Sequence, residues 1–188
     1  MIKQRVTIVF LVLLFCLFPR YLAARSIAIK QIKIDGNTVL IPEINNLLIN
    51  YQQQGIDRQQ LPQVVAAINN LYLERGYITS GAFLPQQKII DGIAIVRVVE
   101  GRLENIEIDG LQRLRKNYIN SRFREVSEGV FNINNLQKAL ESLQVDPLIE
   151  NVRAELVSGR ESNTSILLLD IEEASVLEGG LTVNNWAS

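Results

Sequence analysis

Ile32 and Ile34 fall on one side of a two-residue alternation and Lys33 on the other, which predicts a half-buried strand that stops at the turn signal Asp35-Gly36-Asn37. The period then lengthens. Ile44, Leu47, Leu48 and Tyr51 recur at helical spacing behind Pro42-Glu43, residues suited to a first helical turn, and Gly55 ends that helix. Asp57 offers an N-cap carboxylate to a second helix, whose apolar stripe is Leu61, Val64, Val65, Ile68, Leu71 and Tyr72 and whose close is Arg75-Gly76. Two strand-like runs follow, Tyr77 to Leu84 and Ile93 to Val99, joined through the turn dipeptide Asp91-Gly92. Residues 27–101 thus read as β-α-α-β-β.

The same order recurs over residues 103–174. The pentapeptide Ile32-Lys33-Ile34-Asp35-Gly36 returns as Ile106-Glu107-Ile108-Asp109-Gly110. Tyr118, Ile119, Phe123 and Val126 mark a helix that Gly129 breaks. Asn132 takes the capping place of Asp57, and Leu136, Ala139, Leu140 and Leu143 repeat the stripe of Leu61, Val64, Val65 and Ile68. Asp146-Pro147 ends that helix, and Ile149 to Val157 and Ser165 to Glu172 are the closing strands. Agreement across five elements in order argues for a duplicated module. Only Arg102 separates the two units, so the junction has no flexible spacer. The fold class expected is α+β, two tandem small domains with helices on one side of a three-stranded sheet.

Composition narrows the chemistry. The 188 residues include no histidine and a single cysteine, Cys16, so imidazole general bases, His-based triads and internal disulfides are excluded. Lys3 and Arg5 precede the apolar run Val6 to Phe18, which Pro19-Arg20 stops and the small residues Ala23-Ala24 follow. That pattern predicts a signal peptide over residues 1–24; the rival reading, a retained anchor, would need about 20 apolar residues to span a bilayer. Removing Lys3, Arg5 and Arg20 with the signal leaves 16 basic against 20 acidic residues, a net charge of −4, which is not the basic footprint of a nucleic-acid binder. Glu43, Asp57, Asp91 and Glu100 sit on different elements without metal-ligand spacing and read as solvated surface. The basic stretch Gln112 to Arg124 reads as a solvated helix face, and Asn163-Thr164-Ser165 as a fortuitous glycosylation sequon. No nucleophile–base pair or phosphate loop is present, so the expectation is not an enzyme, with no cofactor, metal or small-molecule substrate.

One stretch, Leu71 to Gly110, carries a family resemblance. Arg75-Gly76-Tyr77, then Leu84-Pro85-Gln86 closing a strand in an L-P-x-Q pattern, then Asp91-Gly92 and Glu100-Gly101 stand in the order and spacing of a POTRA pair. The chain resembles the pair found in two-partner secretion transporters of the haemolysin-activator, ShlB type, over residues 27–188. Gly179 to Ser188 resembles the first strand of that family's outer-membrane barrel, so residues 175–188 are expected to begin a barrel cut short. Two features depart from the pattern: the first strand follows the signal almost directly, without the family's usual plug helix, and Ser158-Gly159 stands where Pro-Gly is usual.

The resemblance implies a periplasmic module at the cell outer membrane. Its partners would be an unfolded secreted client and a barrel of its own or a partner chain, with no nucleic acid. A client strand would add to an exposed sheet edge. By family analogy the edge is the first strand of each hairpin: Ile78, Thr79, Ser80, Gly81, Ala82, Phe83 and Leu84 in the first unit, and Val152, Arg153, Ala154, Glu155 and Leu156 in the second. The uncharged run 78–84 favours docking, whereas Arg153 and Glu155 equally suit edge protection. Two other roles compete: a POTRA-bearing assembly factor for outer-membrane proteins, and a bitopic inner-membrane scaffold of the division type.

Overall fold

The computed structural model describes residues 28–175; the signal segment with Cys16 and the barrel-like tail lie outside the described residues. The chain folds as α+β, with two three-stranded sheets that each carry helices on one face and a short two-stranded pair beside the first.

In the first unit, β1 (Ala28–Ile29) pairs antiparallel with β3 (Ile56–Asp57), while β2 (Gln31–Asp35) enters the main sheet. Helices α1 (Ile41–Gln54) and α2 (Leu61–Glu74) follow, then β4 (Gly81–Phe83) and β5 (Ile93–Val99). The sheet order is β2-β5-β4, with β2 parallel and β4 antiparallel to the central β5. Burial alternates along β5: Ala94, Val96 and Val98 are buried on the helix side, together with Ile32, Ile44, Ile68 and Tyr72.

The second unit repeats the order. Strand β6 (Arg102–Asp109) lies parallel to the central β8 (Thr164–Glu173), and β7 (Ile149–Ser158) lies antiparallel to β8 on its other side. Its first helix is broken into α3 (Lys116–Asn120), a single 3-10 turn over Ser121–Phe123, and α4 (Arg124–Ser127); α5 (Ile133–Gln144) is continuous. Ile108, Ile119, Phe123, Phe131, Leu143 and Leu169 are among the buried residues of a second, separate apolar cluster.

Local chemistry explains the ends of these elements. Asn132 caps α5 by accepting the Asn134 N–H at 2.9 Å. Asp57 precedes a 3-10 turn (Arg58–Gln60) ahead of α2, and its N–H donates to Gln60 Oε1 at 2.9 Å. Arg75-Gly76-Tyr77 forms a Schellman close on α2: Tyr77 N–H reaches the Tyr72 carbonyl at 2.9 Å and Gly76 N–H the Leu73 carbonyl at 3.0 Å. Gly76 takes φ +85°, and the Tyr72 and Tyr77 rings meet edge to face at 5.9 Å as the accompanying apolar contact.

Gly76 is also where the units meet. Its carbonyl accepts the Ile133 N–H at 2.9 Å, the Arg75 carbonyl accepts Asn132 Nδ2 at 2.8 Å, and the Gly101 carbonyl accepts the Phe131 N–H at 2.8 Å. The carbonyl-rich C-terminus of α2 therefore abuts the N–H-rich N-terminus of α5, so each end satisfies groups the other would leave unpaired.

Candidate functional site

Both segments expected as docking edges lie at sheet edges, but their extents and surroundings differ. Of the run 78–84, only Gly81–Phe83 is strand. Ile78 and Thr79 form a turn held by Ser80 N–H to the Tyr77 carbonyl at 3.0 Å. The Ser80 hydroxyl accepts the Gly101 N–H at 3.0 Å, and Thr79 Oγ1 is buried without a hydrogen-bond partner. A Cβ on Gly101 would overlap that oxygen, so Thr79 and Ser80 pack on the unit junction rather than line an open edge. Pro85 and the loop behind it then remove the chain from the ladder.

The outward side of β4 is occupied. Ala82 N–H donates to Asn69 Oδ1 at 2.5 Å, and Asn69 Nδ2 donates to the Ala82 carbonyl at 3.2 Å. Asn69 sits on α2, and its carboxamide presents the same donor–acceptor pair that a neighbouring strand would. Gln87 repeats the device one step inward. Beyond the end of β4, the Ile95 N–H and carbonyl on β5 bond Gln87 Oε1 and Nε2 at 2.8 and 2.6 Å. Farther along, Ile93 N–H reaches the Ile90 carbonyl at 2.9 Å. On that side of β5, Val99 and Arg97 are met by Gly81 and Phe83 in the strand register, Ile95 by Gln87, and the Ile93 N–H by the Ile90 carbonyl.

The second edge is different. Strand β7 runs 10 residues beside β8, against 3 in β4. Gly159 N–H bonds the Thr164 carbonyl at 2.9 Å, which sets the alternation of the antiparallel ladder. Val157, Glu155 and Arg153 then bond inward to β8, and the backbone groups of Ser158, Leu156, Ala154 and Val152 point away from the sheet. Among the described residues no side chain bonds those outward groups. Val152 pairs with Ile171 as Ala82 pairs with Val98, so Val152 is the repeat counterpart of Ala82. Helix α5 carries Gln144 at the place of Asn69. Val152 and Leu156 pack on the core, whereas Arg153 lies on the open face and bonds Asp170 at 2.8 Å and Glu172 at 3.1 Å.

Sequence patterning missed Asn69 and Gln87 as edge partners. The available signals were an Asn inside a helix, where its propensity is poor, and the Gln that ends the L-P-x-Q pattern at position 87.

Two carboxylates brace the sheets, and Glu100 is not the solvated residue the sequence suggested. It accepts Thr38 N–H at 2.7 Å, Val39 N–H at 3.0 Å and the buried Tyr72 hydroxyl at 3.0 Å. Burial pushes its carboxyl up, but the Thr38 hydroxyl and these donors outweigh that and hold it below its ordinary value. Burial, then the Glu100 charge, pushes the Tyr72 phenol well up. Glu173 does the same in the second unit, accepting the N–H groups of Gln112, Arg113 and Leu114 at 2.8, 2.9 and 2.9 Å. The Leu114 N–H leads the donors that outweigh its burial and hold its carboxyl at about 2. These clamps tie the loop after the first strand of each unit to the end of its central strand. Within the basic stretch, Arg122 is no free cation. It bonds Asp146 at 2.5 Å, and its guanidinium stacks 4.0 Å over the Tyr118 ring.

The comparisons bear on the fold and its kinship. Residues 27–101 match the family model described as POTRA domain, ShlB-type. The chain is similar to the outer membrane transporter CdiB of Dickeya dadantii (strain 3937), 27% identical over 159 residues. It is also similar to CdiB of Escherichia coli O6:K15:H31 (strain 536 / UPEC), 28% identical over the same length. These alignments take in 84% of the chain but only 28% and 26% of the relatives, so the chain spans roughly a quarter of their length. The solved structure of CdiB from Escherichia coli superposes with a TM-score of 0.65 at 27% identity, covering 82% of this chain and 29% of that one. The N-terminal domain of Omp85 from the thermophilic cyanobacterium Thermosynechococcus elongatus shares the fold, with a TM-score of 0.67 at 24% identity, covering 79% of this chain and 67% of that one.

Proposed function

We infer from this kinship, residues 27–101 being a POTRA domain of the ShlB type, that the chain is the periplasmic POTRA module of an outer-membrane protein-secretion transporter. Two units, residues 27–101 and 103–174, take up an unfolded exported polypeptide by strand addition and pass it to a β-barrel of the same or a partner chain. The role is one of binding and transfer, not catalysis.

One observation carries the reading: the outward backbone groups of Val152, Ala154, Leu156 and Ser158 on the long edge β7. An extended client can bond them whatever its side chains, because main-chain pairing is nearly indifferent to sequence. Each such bond is worth on the order of 1 kcal/mol net, and association entropy opposes the sum. Capture is therefore weak and reversible, as a transfer step requires. The salt-bridged Arg153 stands on the open face and leaves the hydrogen-bonding rim clear.

Ladder parity supplies the test. Ala154→Pro removes an outward N–H and leaves the ladder to β8 whole, whereas Arg153→Pro removes a ladder donor. Photo-crosslinking of an unfolded secreted polypeptide through a residue placed at Glu150 is expected to fall in Ala154→Pro with the melting transition retained. In Arg153→Pro the second unit itself is destabilised. Unchanged crosslinking in a folded Ala154→Pro protein refutes capture on β7.

A further inference from the structure

We propose that Asn69 is a built-in competitor for client strands, which closes the β4 edge of the first unit until its carboxamide is displaced and so directs first capture to β7. The inference rests on the strand-addition reading above and adds a residue that decides between the two edges.

The argument is one of hydrogen-bond accounting. An edge strand recruits a partner because its outward N–H and C=O groups lack protein partners. On β4 that outward pair belongs to Ala82, and both members are engaged by one side chain, at 2.5 and 3.2 Å. Ala82 is itself only 8% exposed, so water does not substitute readily for the carboxamide. Flanking access is also reduced, since Gln87 covers the next vacant position on β5 from the same side. A Cβ on Gly81 would stand 3.2 Å from Asn69 Oδ1, which places the carboxamide hard against the strand. At the repeat counterpart, Val152, no side chain among the described residues makes these bonds.

The carboxamide is a latch rather than a permanent seal because it is a side chain. Rotation of Asn69 on α2 releases both groups of Ala82 without disturbing Gly81 and Phe83, whose bonds run inward to β5. A client that reaches β4 must offer at least the two bonds that Asn69 surrenders. A strand already held on β7 meets that condition more easily, because tethering raises its effective concentration at the second edge.

The test uses the full chain, with a synthetic peptide of alternating Thr and Val residues as the probe. Photo-reactive residues at Gln86 and at Glu150 report β4 and β7 separately. Asn69→Leu keeps the side-chain size and removes both bonds; Asn69→Asp keeps the acceptor for Ala82 N–H and loses the donor. Capture at Gln86 is expected to rise on the order of tenfold in Asn69→Leu, the worth of about 1.4 kcal/mol of released competition. Asn69→Asp is expected to fall between, and capture at Glu150 to stay unchanged in both. Melting curves and amide exchange accompany the series: the Ala82 amide is protected in the parent and exposed in Asn69→Leu. Gln86 capture that stays flat across the series while Glu150 captures the peptide overturns the latch and leaves strand addition standing. An Ala82 amide that exchanges in the parent as fast as that of Ala154 overturns the latch at its premise. Absence of capture at both positions in every variant defeats strand addition itself, and the latch falls with it.

Discussion

Replacing Gly76 with alanine tests whether the two units are joined by specific chemistry or merely abut. At φ +85° an alanine carries a left-handed backbone strain of about 1 kcal/mol. Its Cβ would also lie 2.7 Å from Asn132 Oδ1 and 2.6 Å from Asn134 Nδ2. Asn134 can swing aside, but Asn132 cannot, because it caps α5 and donates to the Arg75 carbonyl. Its displacement costs a helix cap, about 1 kcal/mol. It also costs the bond across the joint, about 1 kcal/mol more. Gly76→Ala is therefore expected to lose about 3 kcal/mol in urea denaturation followed by circular dichroism. Gly129→Ala provides the baseline, since Gly129 takes φ +79° with nothing within 4 Å of the added Cβ; it should lose only the strain. A double-mutant cycle with Asn132→Ala isolates the joint, because the clash vanishes once Asn132 is gone, and a coupling of about 1 kcal/mol or more is expected. Residual dipolar couplings should show a changed unit orientation in Gly76→Ala alone. If Gly76→Ala costs no more than Gly129→Ala and adds linearly to Asn132→Ala, the reasoning is wrong.

Three further outcomes follow from the same structure. Glu173 titrates at about 2 in the folded chain against an ordinary 4.5; a depressed carboxyl contributes stability above its unfolded value that is lost as pH falls. The second unit should therefore weaken between about pH 4.5 and pH 2, and in acid titrations followed by amide exchange Glu173→Gln should flatten that dependence. Phe131, fully buried in the second cluster, should cost about 4 kcal/mol as Phe131→Ala in equilibrium unfolding; a loss under about 1 kcal/mol would mean the site collapses freely. Ala82→Pro should keep the β4–β5 ladder, because the N–H it removes points to Asn69, and loss of the first unit's near-native exchange pattern would contradict the parity assigned to β4.

Much of the fold was legible because it is decided locally. The stripes of α2 and α5, the Asn132 cap and the Arg75-Gly76 close depend on neighbours within a turn or two, so period and capping chemistry sufficed. Alternation puts Ala94, Val96 and Val98 on one face of β5, and packing against the helices makes that face the buried one. Misjudgement began where partners lie far apart in sequence. The run from Tyr77 looked like one strand to Leu84, yet Ile78 and Thr79 turn, with Ser80 N–H bonded to the Tyr77 carbonyl and the Ser80 hydroxyl held by the Gly101 N–H 21 positions on. Glu100 looked solvated, yet it serves Thr38 and Val39, more than 60 positions away.

By itself the sequence determined that a β-α-α-β-β module occurs twice, with no histidine and no spacer between copies, because periodicity and composition are written residue by residue. Only the tertiary structure decided which strand edges are available. A hydrogen-bonding group is open or closed according to what the folded chain brings within about 3 Å of it. The Asn69 carboxamide reaches Ala82 only once α2 has packed beside β4, whereas the backbone of Val152 receives no such side chain among the described residues.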